Sequence, residues 1–167
     1  MTQLDKGILE LELDNLIISS ETTLDDLKKL KDRFKIIGYP ESNSGVAYTK
    51  NIETIDGSPF MLGIRFVNNK IITINLRPYV KYPKNMKDTL ERQQLRYMAC
   101  SRWTFRRLGK PHEKVNSVES TELGLSDTET YKFDFGIISV IQNIRLHDYT
   151  DGGYLVIRYN IEGENVE

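Results

Sequence analysis

Apolar and polar residues alternate along most of this chain with a period of two, which is typical of half-buried β-strands. In the clearest segment, every second residue from Phe60 to Phe66 is large and apolar, and Asn68-Asn69 then gives a hairpin turn signal. Strands are expected at 8–13, 16–19, 46–50, 52–55, 60–66, 71–76, 131–135, 137–146 and 154–161. Most of the molecule is therefore predicted to be antiparallel sheet.

Two segments instead carry apolar residues at helical spacing. The first follows a capping signal at Thr22 or Thr23 and is expected to stop near Ile37-Gly38-Tyr39-Pro40. Its apolar residues are Leu24, Leu27, Leu30 and Phe34. The second, 86–108, contains no proline or glycine and ends at Gly109-Lys110-Pro111. We expect this long helix to pack on the sheet.

The long helix has an apolar side and an arginine-rich side. The apolar side, expected to face the sheet, consists of Met86, Leu90, Tyr97, Met98, Ser101, Phe105 and Leu108. The other side carries Trp103 among the arginines Arg92, Arg96, Arg106 and Arg107. Arginine and tryptophan often anchor interfaces, which suggests a docking face for an acidic protein or a phosphate backbone. Alternatively, Trp103 packs at the edge of the sheet and the arginines pair with nearby acids.

The order of helix, stop, strand and hairpin occurs twice. The predicted fold class is α+β, with two helix-plus-antiparallel-sheet units interpreted as a tandem repeat sharing one sheet. The alternative is that the two matching stops arose by chance. The chain 1–167 is expected to form a single domain with halves 1–80 and 85–161, separated by a stiff connector that contains Pro78 and Pro83. The acidic tail, 162–167, is expected to be frayed.

Composition narrows the class of protein. Apolar residues make up 39% and charged residues 28%, as in ordinary globular proteins, and no run approaches the roughly 20 apolar residues of a membrane span. The net charge of −1 argues against wholesale nucleic-acid binding. The N-terminus alternates apolar and acidic residues, so neither a secretory signal nor a lipid anchor is expected. The single cysteine, Cys100, suggests a reduced thiol in a cytoplasmic protein.

Catalytic motifs are not evident in the sequence. The two histidines, His112 and His147, lack metal-ligand spacing, and no glycine-rich phosphate loop or nucleophile elbow occurs. Carboxylates such as Glu129 and Asp134 could be arranged for acid–base chemistry, although solvated strand and loop charges are the favoured interpretation. We therefore expect no catalytic residue, no metal and no cofactor, and keep a small carboxylate-dependent hydrolase as an alternative.

An acidic stretch follows the long helix. Between residues 113 and 134 it holds six acids, Glu113, Glu119, Glu122, Asp127, Glu129 and Asp134, against Lys114 and Lys132. A flexible negative loop of this kind could enter the basic cleft of a nuclease and speed association by steering. The alternative is a solubilising loop. The aromatic strand residues are interpreted as core and cross-strand pairs rather than as a platform for stacking bases.

The layout resembles known families. The stops Gly38-Tyr39-Pro40 and Gly109-Lys110-Pro111, each followed by aromatic strands, resemble the β-lactamase inhibitor protein type of fold and the small outer-membrane-assembly lipoprotein module. Leu108–Pro111, Tyr131–Ile138 and Leu155–Tyr159 also resemble small bacterial immunity proteins encoded beside polymorphic toxins. Unlike the lipoprotein module, this sequence shows no lipobox, and unlike the secreted inhibitors it has no paired cysteines.

The resemblance implies a cytoplasmic bacterial immunity or inhibitor protein, which occludes the active site of a cognate toxin, such as a nuclease, with a rigid surface. The candidate contact residues are Arg92, Arg96, Trp103 and Arg107 on the long helix and Glu122, Asp127, Glu129 and Asp134 in the acidic stretch. The main alternative is a nucleic-acid or regulatory binding module that uses the arginine-rich helix. No membrane partner is expected, and the oligomeric state is left open.

Overall fold

A computed structural model describes residues 2–39, 43–84, 86, 89–115, 125–144 and 152–160. The helices are α1 (Leu24–Lys29) and α2 (Thr89–Leu108), with short 3-10 turns at Leu4–Lys6 and Leu13–Asn15. The strands are β1 (Leu9–Leu11), β2 (Leu16–Ile18), β3 (Phe34–Tyr39), β4 (Ser44–Thr49), β5 (Glu53–Ile55), β6 (Ser58–Val67), β7 (Lys70–Pro78), β8 (Glu113–Val115), β9 (Leu125–Phe133), β10 (Gly136–Ile144) and β11 (Tyr154–Tyr159). The protein is thus of the mixed α+β class, as the sequence predicts.

One antiparallel sheet dominates the fold. Within the described residues it has nine strands in the order β3-β4-β6-β7-β11-β10-β9-β8, with β5 paired to β6 outside this path. On one side of the central β7–β11 pair lie β6, β4 and β3, and on the other side lie β10, β9 and β8, so that both sides run in reverse chain order away from the pair. In the chain, α1 precedes β3 to β7, and α2 precedes β8 to β11. β1 and β2 form a separate hairpin. The connector between the predicted halves therefore joins two sets of strands that belong to a continuous sheet.

The hydrophobic core lies between this sheet and a layer made of α1, α2 and the β1–β2 hairpin. The alternating residues of β6 are buried as predicted, from Phe60 to Phe66. The hairpin between β6 and β7 turns at Asn68 and Asn69, whose φ angles of 49° and 67° match the left-handed geometry that short hairpins require. Alternation and turn chemistry thus set the register of the central strands.

The first helix is shorter than its leucine spacing predicts. α1 ends at Lys29, and Phe34 begins β3 instead of continuing the helix. Phe34 and Ile36 also fit a period of two, and β3 pairs with β4 from Phe34↔Thr49 to Tyr39↔Ser44. Sheet hydrogen bonds to β4, together with the β-branched pair Ile36-Ile37, favour a strand over a longer helix here.

The long helix is confirmed, but it starts at Thr89 instead of residue 86, and it is rotated relative to the prediction. Met98 and Phe105 were expected to face the sheet, yet they are 38% and 52% exposed. The buried side comprises Gln93, Arg96, Tyr97, Cys100, Trp103 and Thr104. Polar groups on this side are accommodated because several have partners within the chain; the Thr104 hydroxyl, for example, donates to the Cys100 carbonyl at 2.9 Å.

Gly153 contributes to the same arrangement. A Cβ at this position would lie 2.4 Å from the Gln93 carbonyl oxygen and 2.7 Å from the Cβ of Arg96, so only glycine lets α2 approach this backbone. Its φ of 82° is also in the left-handed region. The rotation of α2 is therefore set by close packing and polar partners, which apolar periodicity does not reveal.

Some predicted features fall outside the described residues, namely Glu119, Glu122 and the tail 162–167. The part of the acidic stretch that is described forms strands: β8 covers Glu113–Val115 at one edge of the sheet and pairs with β9. Across the described ranges, no helix combines the length and apolar character needed to cross a membrane.

Candidate functional site

The tryptophan of α2 packs within the chain. Trp103 is 5% exposed and lies edge-on to Phe60, with ring centroids 5.1 Å apart. The Arg107 guanidinium lies 4.1 Å from the centroid of the Trp103 ring and donates to the Asp56 carboxylate at 2.9 Å. This part of the helix matches the alternative in which Trp103 packs on the sheet and an arginine pairs with a nearby acid.

The other two candidate arginines also have partners within the chain. Arg96 is 3% exposed and donates to the Gly152 carbonyl at 2.9 Å and to the Tyr82 hydroxyl at 3.1 Å. Arg92 donates to the Met86 carbonyl and lies over the Tyr82 ring. Docking through these side chains would require breaking contacts that hold α2 and the connector in place. Partner binding by Arg92, Arg96, Trp103 and Arg107 stays an untested prediction.

Both acids of β9, Asp127 and Glu129, lie on the face of the sheet that α2 covers. Glu129 is 5% exposed, faces α2 and pairs with Lys114 at 3.1 Å. Asp127 lies two residues earlier on the same face of β9. Burial, and then the negative charges of Glu129 and Asp127, raise the pKa of the Tyr97 hydroxyl, which belongs to the buried side of α2. Glu129 and Asp127 therefore belong to the layer between helix and sheet.

Asp134 lies elsewhere, exposed in the turn between β9 and β10. Its backbone carbonyl accepts a hydrogen bond from the Asn160 side chain at 2.9 Å. Glu129, by contrast, is buried mid-strand opposite Val140. The described acids therefore do not form one continuous surface, and the carboxylate pair considered for hydrolysis is not brought together.

The Cys100 thiol and the His112 imidazole, two further reactive groups, are held within the fold. Burial raises the pKa of the Cys100 thiol, an effect that the positive charge of Arg96 partly opposes. His112 accepts a hydrogen bond from the Lys132 backbone N–H at 2.7 Å through Nδ1. In the ranges that the structure describes, no three His, Cys, Asp or Glu side chains are grouped so that they could hold a metal ion.

The face of the sheet opposite α2, here called the open face, has a different character. In the described part of the chain neither helix covers it. It carries the exposed residues Lys35, Tyr48, Arg65, Arg77, Lys132 and Arg158. Ile37 and Met61 on the same face are 54% and 42% exposed. Among its described strand residues, Glu113 is the one acid. The open face is therefore basic, with apolar residues between the charges.

Three of these cations lie in one row across the sheet. The register places Arg65 opposite Thr73, Thr73 opposite Arg158, Arg158 opposite Ile137 and Ile137 opposite Lys132. Consecutive cations are thus two strands apart, which is about 10 Å at the usual spacing of strands. Neither Arg65 nor Arg158 forms an ion pair with another described residue. Positive charge is therefore spread evenly along a line that crosses the middle of the sheet.

A shallow concavity of about 250 Å³ lies at one end of this row. Ile137, Ile141 and Val156 supply its apolar lining, and Val156 is 8% exposed. Thr130 and Ser139 contribute hydroxyls. Charged residues complete the lining: Arg158, and Lys132 with its ion-pair partner Glu113 at 3.5 Å. The concavity thus combines an apolar surface, hydrogen-bond donors and positive charge.

Sequence reasoning missed this surface. The alternation in β6 and β11 places Arg65 and Arg158 opposite the core residues, which was visible in the sequence. Their alignment depends on the β7–β11 pairing, which joins residues about eighty positions apart in the chain. The surfaces that the sequence suggested lie in continuous segments, whereas the exposed residues of the open face come from at least six separate strands.

No family model, no curated protein and no solved structure matches this chain.

Proposed function

We propose that this chain is a non-catalytic protein of the immunity or inhibitor kind, which neutralises a cognate bacterial toxin by covering its active site. The observation that carries the proposal is the open face, a preformed surface on which exposed arginines lie among exposed and half-buried apolar residues. Arginine, tyrosine and methionine are enriched at protein interfaces, and Arg65, Tyr48 and Met61 all lie on this face. A rigid sheet that supports them would lose little entropy on binding.

Charge defines the kind of toxin that fits. A basic face complements an acidic surface, so the proposed partner presents carboxylates around its active site. A nuclease with a basic cleft would instead need the acids of β9, and the described ones, Asp127 and Glu129, lie on the side of the sheet that α2 covers. The contact surface proposed here therefore differs from both surfaces that the sequence suggested.

Nucleic-acid binding is the second candidate, favoured by the row of Arg65, Arg158 and Lys132. Single-stranded nucleic acid is usually held by several stacked aromatic rings together with cations. The residues between these cations are Thr73 and Ile137. Among the side chains of this face whose exposure is described, Tyr48 is the exposed aromatic one. Aliphatic residues among the cations suit a protein surface better than a set of bases.

Two further features belong to the proposal. The mirrored strand order on either side of the β7–β11 pair supports an origin by tandem duplication of a helix-plus-sheet unit. A cytoplasmic location is supported by the single buried thiol of Cys100, because secreted small domains commonly use paired cysteines.

Co-expression tests the proposal. The chain would be produced in a bacterial host together with the toxin domain that the proposal predicts in a neighbouring reading frame. We expect the wild-type chain to restore growth and to form a stable complex with that domain, whereas Arg65→Glu/Arg158→Glu should lose both effects because it reverses the charge of the open face.

The matched control is Arg102→Glu/Arg106→Glu, which reverses two exposed charges on α2, on the other side of the molecule. This variant should protect as well as the wild type. If the wild-type chain neither binds the neighbouring domain nor relieves growth arrest, the proposed function is wrong. If the two variants fail equally, the open face is not the contact surface.

A further inference from the structure

We infer that the concavity beside Arg158 receives a single carboxylate side chain from an acidic protein partner, with glutamate as the best fit. This inference rests on the proposed function and specifies how the open face would recognise its partner. The concavity, of about 250 Å³, is smaller than the sites that hold drug-sized ligands, which begin at roughly 300 Å³. A side chain on a protein surface is a more suitable occupant than a metabolite.

The lining matches the two parts of a glutamate side chain. Ile137, Ile141 and Val156 offer an apolar surface on which the methylene groups of glutamate can pack. Arg158 offers a guanidinium, which binds carboxylates through two parallel hydrogen bonds. The Ser139 and Thr130 hydroxyls can donate to the carboxylate as well.

The charged residues that line the concavity favour a negatively charged occupant over a neutral one. Lys132 already pairs with Glu113, and both side chains are exposed, at 62% and 55%. Their charges offset one another, whereas Arg158 has no ion-pair partner among the described residues. The concavity therefore has a net positive charge that one carboxylate would neutralise.

Arg65, in the same row of cations, could bind a second carboxylate of the partner. Arg65 lies two strands from Arg158, on the far side of Thr73. A partner segment that places a second carboxylate about 10 Å from the first could reach Arg65 at the same time, since strands are about 4.8 Å apart. The preferred partner is thus an acidic segment that presents spaced carboxylates, not a single free anion.

Nuclear magnetic resonance titration tests this inference directly. The probe is a hexaglutamate peptide, compared with a thymidine hexanucleotide and with inorganic phosphate at low ionic strength. We expect saturable shifts of the Ile137, Ile141 and Val156 methyl signals with the peptide. Affinity for the oligonucleotide and for phosphate should be about tenfold weaker, because neither combines a carboxylate with an aliphatic stem.

Variants distinguish binding in the concavity from non-specific electrostatic attraction. Arg158→Ala should weaken peptide binding about tenfold, while Arg102→Ala, which removes an equal charge from the exposed side of α2, should leave it unchanged. Ser139→Leu should also block the peptide because it fills the concavity while keeping every charge. Unchanged affinity in Arg158→Ala and Ser139→Leu, or preference for the oligonucleotide, would overturn the inference.

Failure of the carboxylate site can be distinguished from failure of the proposed function. If the chain protects against the toxin domain and Ser139→Leu protects equally well, the function stands and the carboxylate site is wrong. If hexaglutamate binds as expected but the wild-type chain gives no protection, the site stands and the proposed function is wrong.

Discussion

At the scale of single residues, one buried ion pair links three parts of the first half. Arg33 forms two hydrogen bonds with the Glu53 carboxylate, at 2.8 and 2.6 Å, and a third with the Leu13 carbonyl at 2.8 Å. Glu53 is 3% exposed, whereas the pair formed by Lys28 and Asp25 is 49% and 60% exposed. Burial decides how much each pair contributes, since water screens the exposed one.

Arg33→Met is predicted to lower the free energy of unfolding by about 3–5 kcal/mol, because it leaves the Glu53 carboxylate buried without its cation. The double variant Arg33→Met/Glu53→Met should recover much of this loss. Urea denaturation measures both effects. As a control, Lys28→Met removes the exposed pair and should cost no more than about 1 kcal/mol. Similar losses in Arg33→Met and Lys28→Met would contradict the prediction.

At the scale of elements, α1 shows how local chemistry sets a boundary. A helix of six residues is too short to be stable alone, so its N-terminal cap and its packing must hold it. The Thr23 hydroxyl accepts a hydrogen bond from the Asp26 N–H at 3.2 Å, and the Thr23 N–H donates to the Asp26 carboxylate at 3.1 Å. A third bond, from the Thr23 hydroxyl to that carboxylate, is 2.6 Å long.

These contacts predict an unusual titration. The hydrogen bond from the Thr23 hydroxyl, followed by the contact with Lys29, lowers the pKa of Asp26 to about 2. A lowered folded-state pKa stabilises the protein above the unfolded value of 3.8, and this contribution is lost as the pH falls from there towards 2. Carboxyl-detected resonance titration should show the low pKa, and Thr23→Ala should raise it. Thr22→Ala, which removes a hydroxyl bonded to the Ser19 N–H, is the control. An ordinary pKa for Asp26 in the wild type would contradict the prediction, and a pKa that stays low in Thr23→Ala would rule out the cap as its cause.

The elements also show what the sequence could predict. β6 and its hairpin followed from one run of alternating apolar residues and from Asn68-Asn69, because both signals are local. The end of α1 and the rotation of α2 depend on partners distant in sequence, such as β4 for Phe34 and Gly153 for Arg96. The open face was missed for the same reason: alternation groups residues onto a face, but topology decides which face is covered.

At the scale of the whole molecule, the two halves share one core. Leu76 pairs with Leu155 and Ile74 with Ile157 across the β7–β11 junction. Trp103, from the second half, packs on Phe60 from the first. Neither half can therefore separate without exposing apolar surface at the junction.

We predict that the chain unfolds in a single cooperative transition. Trp103 fluorescence reports on the contact between the halves, and far-ultraviolet circular dichroism reports on all secondary structure, so their denaturation curves should coincide. Ile74→Ala should shift both curves together towards lower denaturant, by about 2–5 kcal/mol in the free energy of unfolding. Two separate transitions, or a shift in only one signal, would show that the halves are independent domains.

The position of β11 has a consequence for synthesis. It follows its two neighbours, β7 and β10, in the chain, yet it lies between them. While the ribosome is still translating the segments before it, each of these neighbours has one edge with unpaired backbone groups, which other nascent chains could bind. The sheet can close only when residues 154–159 emerge from the exit tunnel. The two sets of strands can therefore join into one sheet only after β11 is available, and chaperones that shield exposed strand edges would matter most before residues 154–159 emerge.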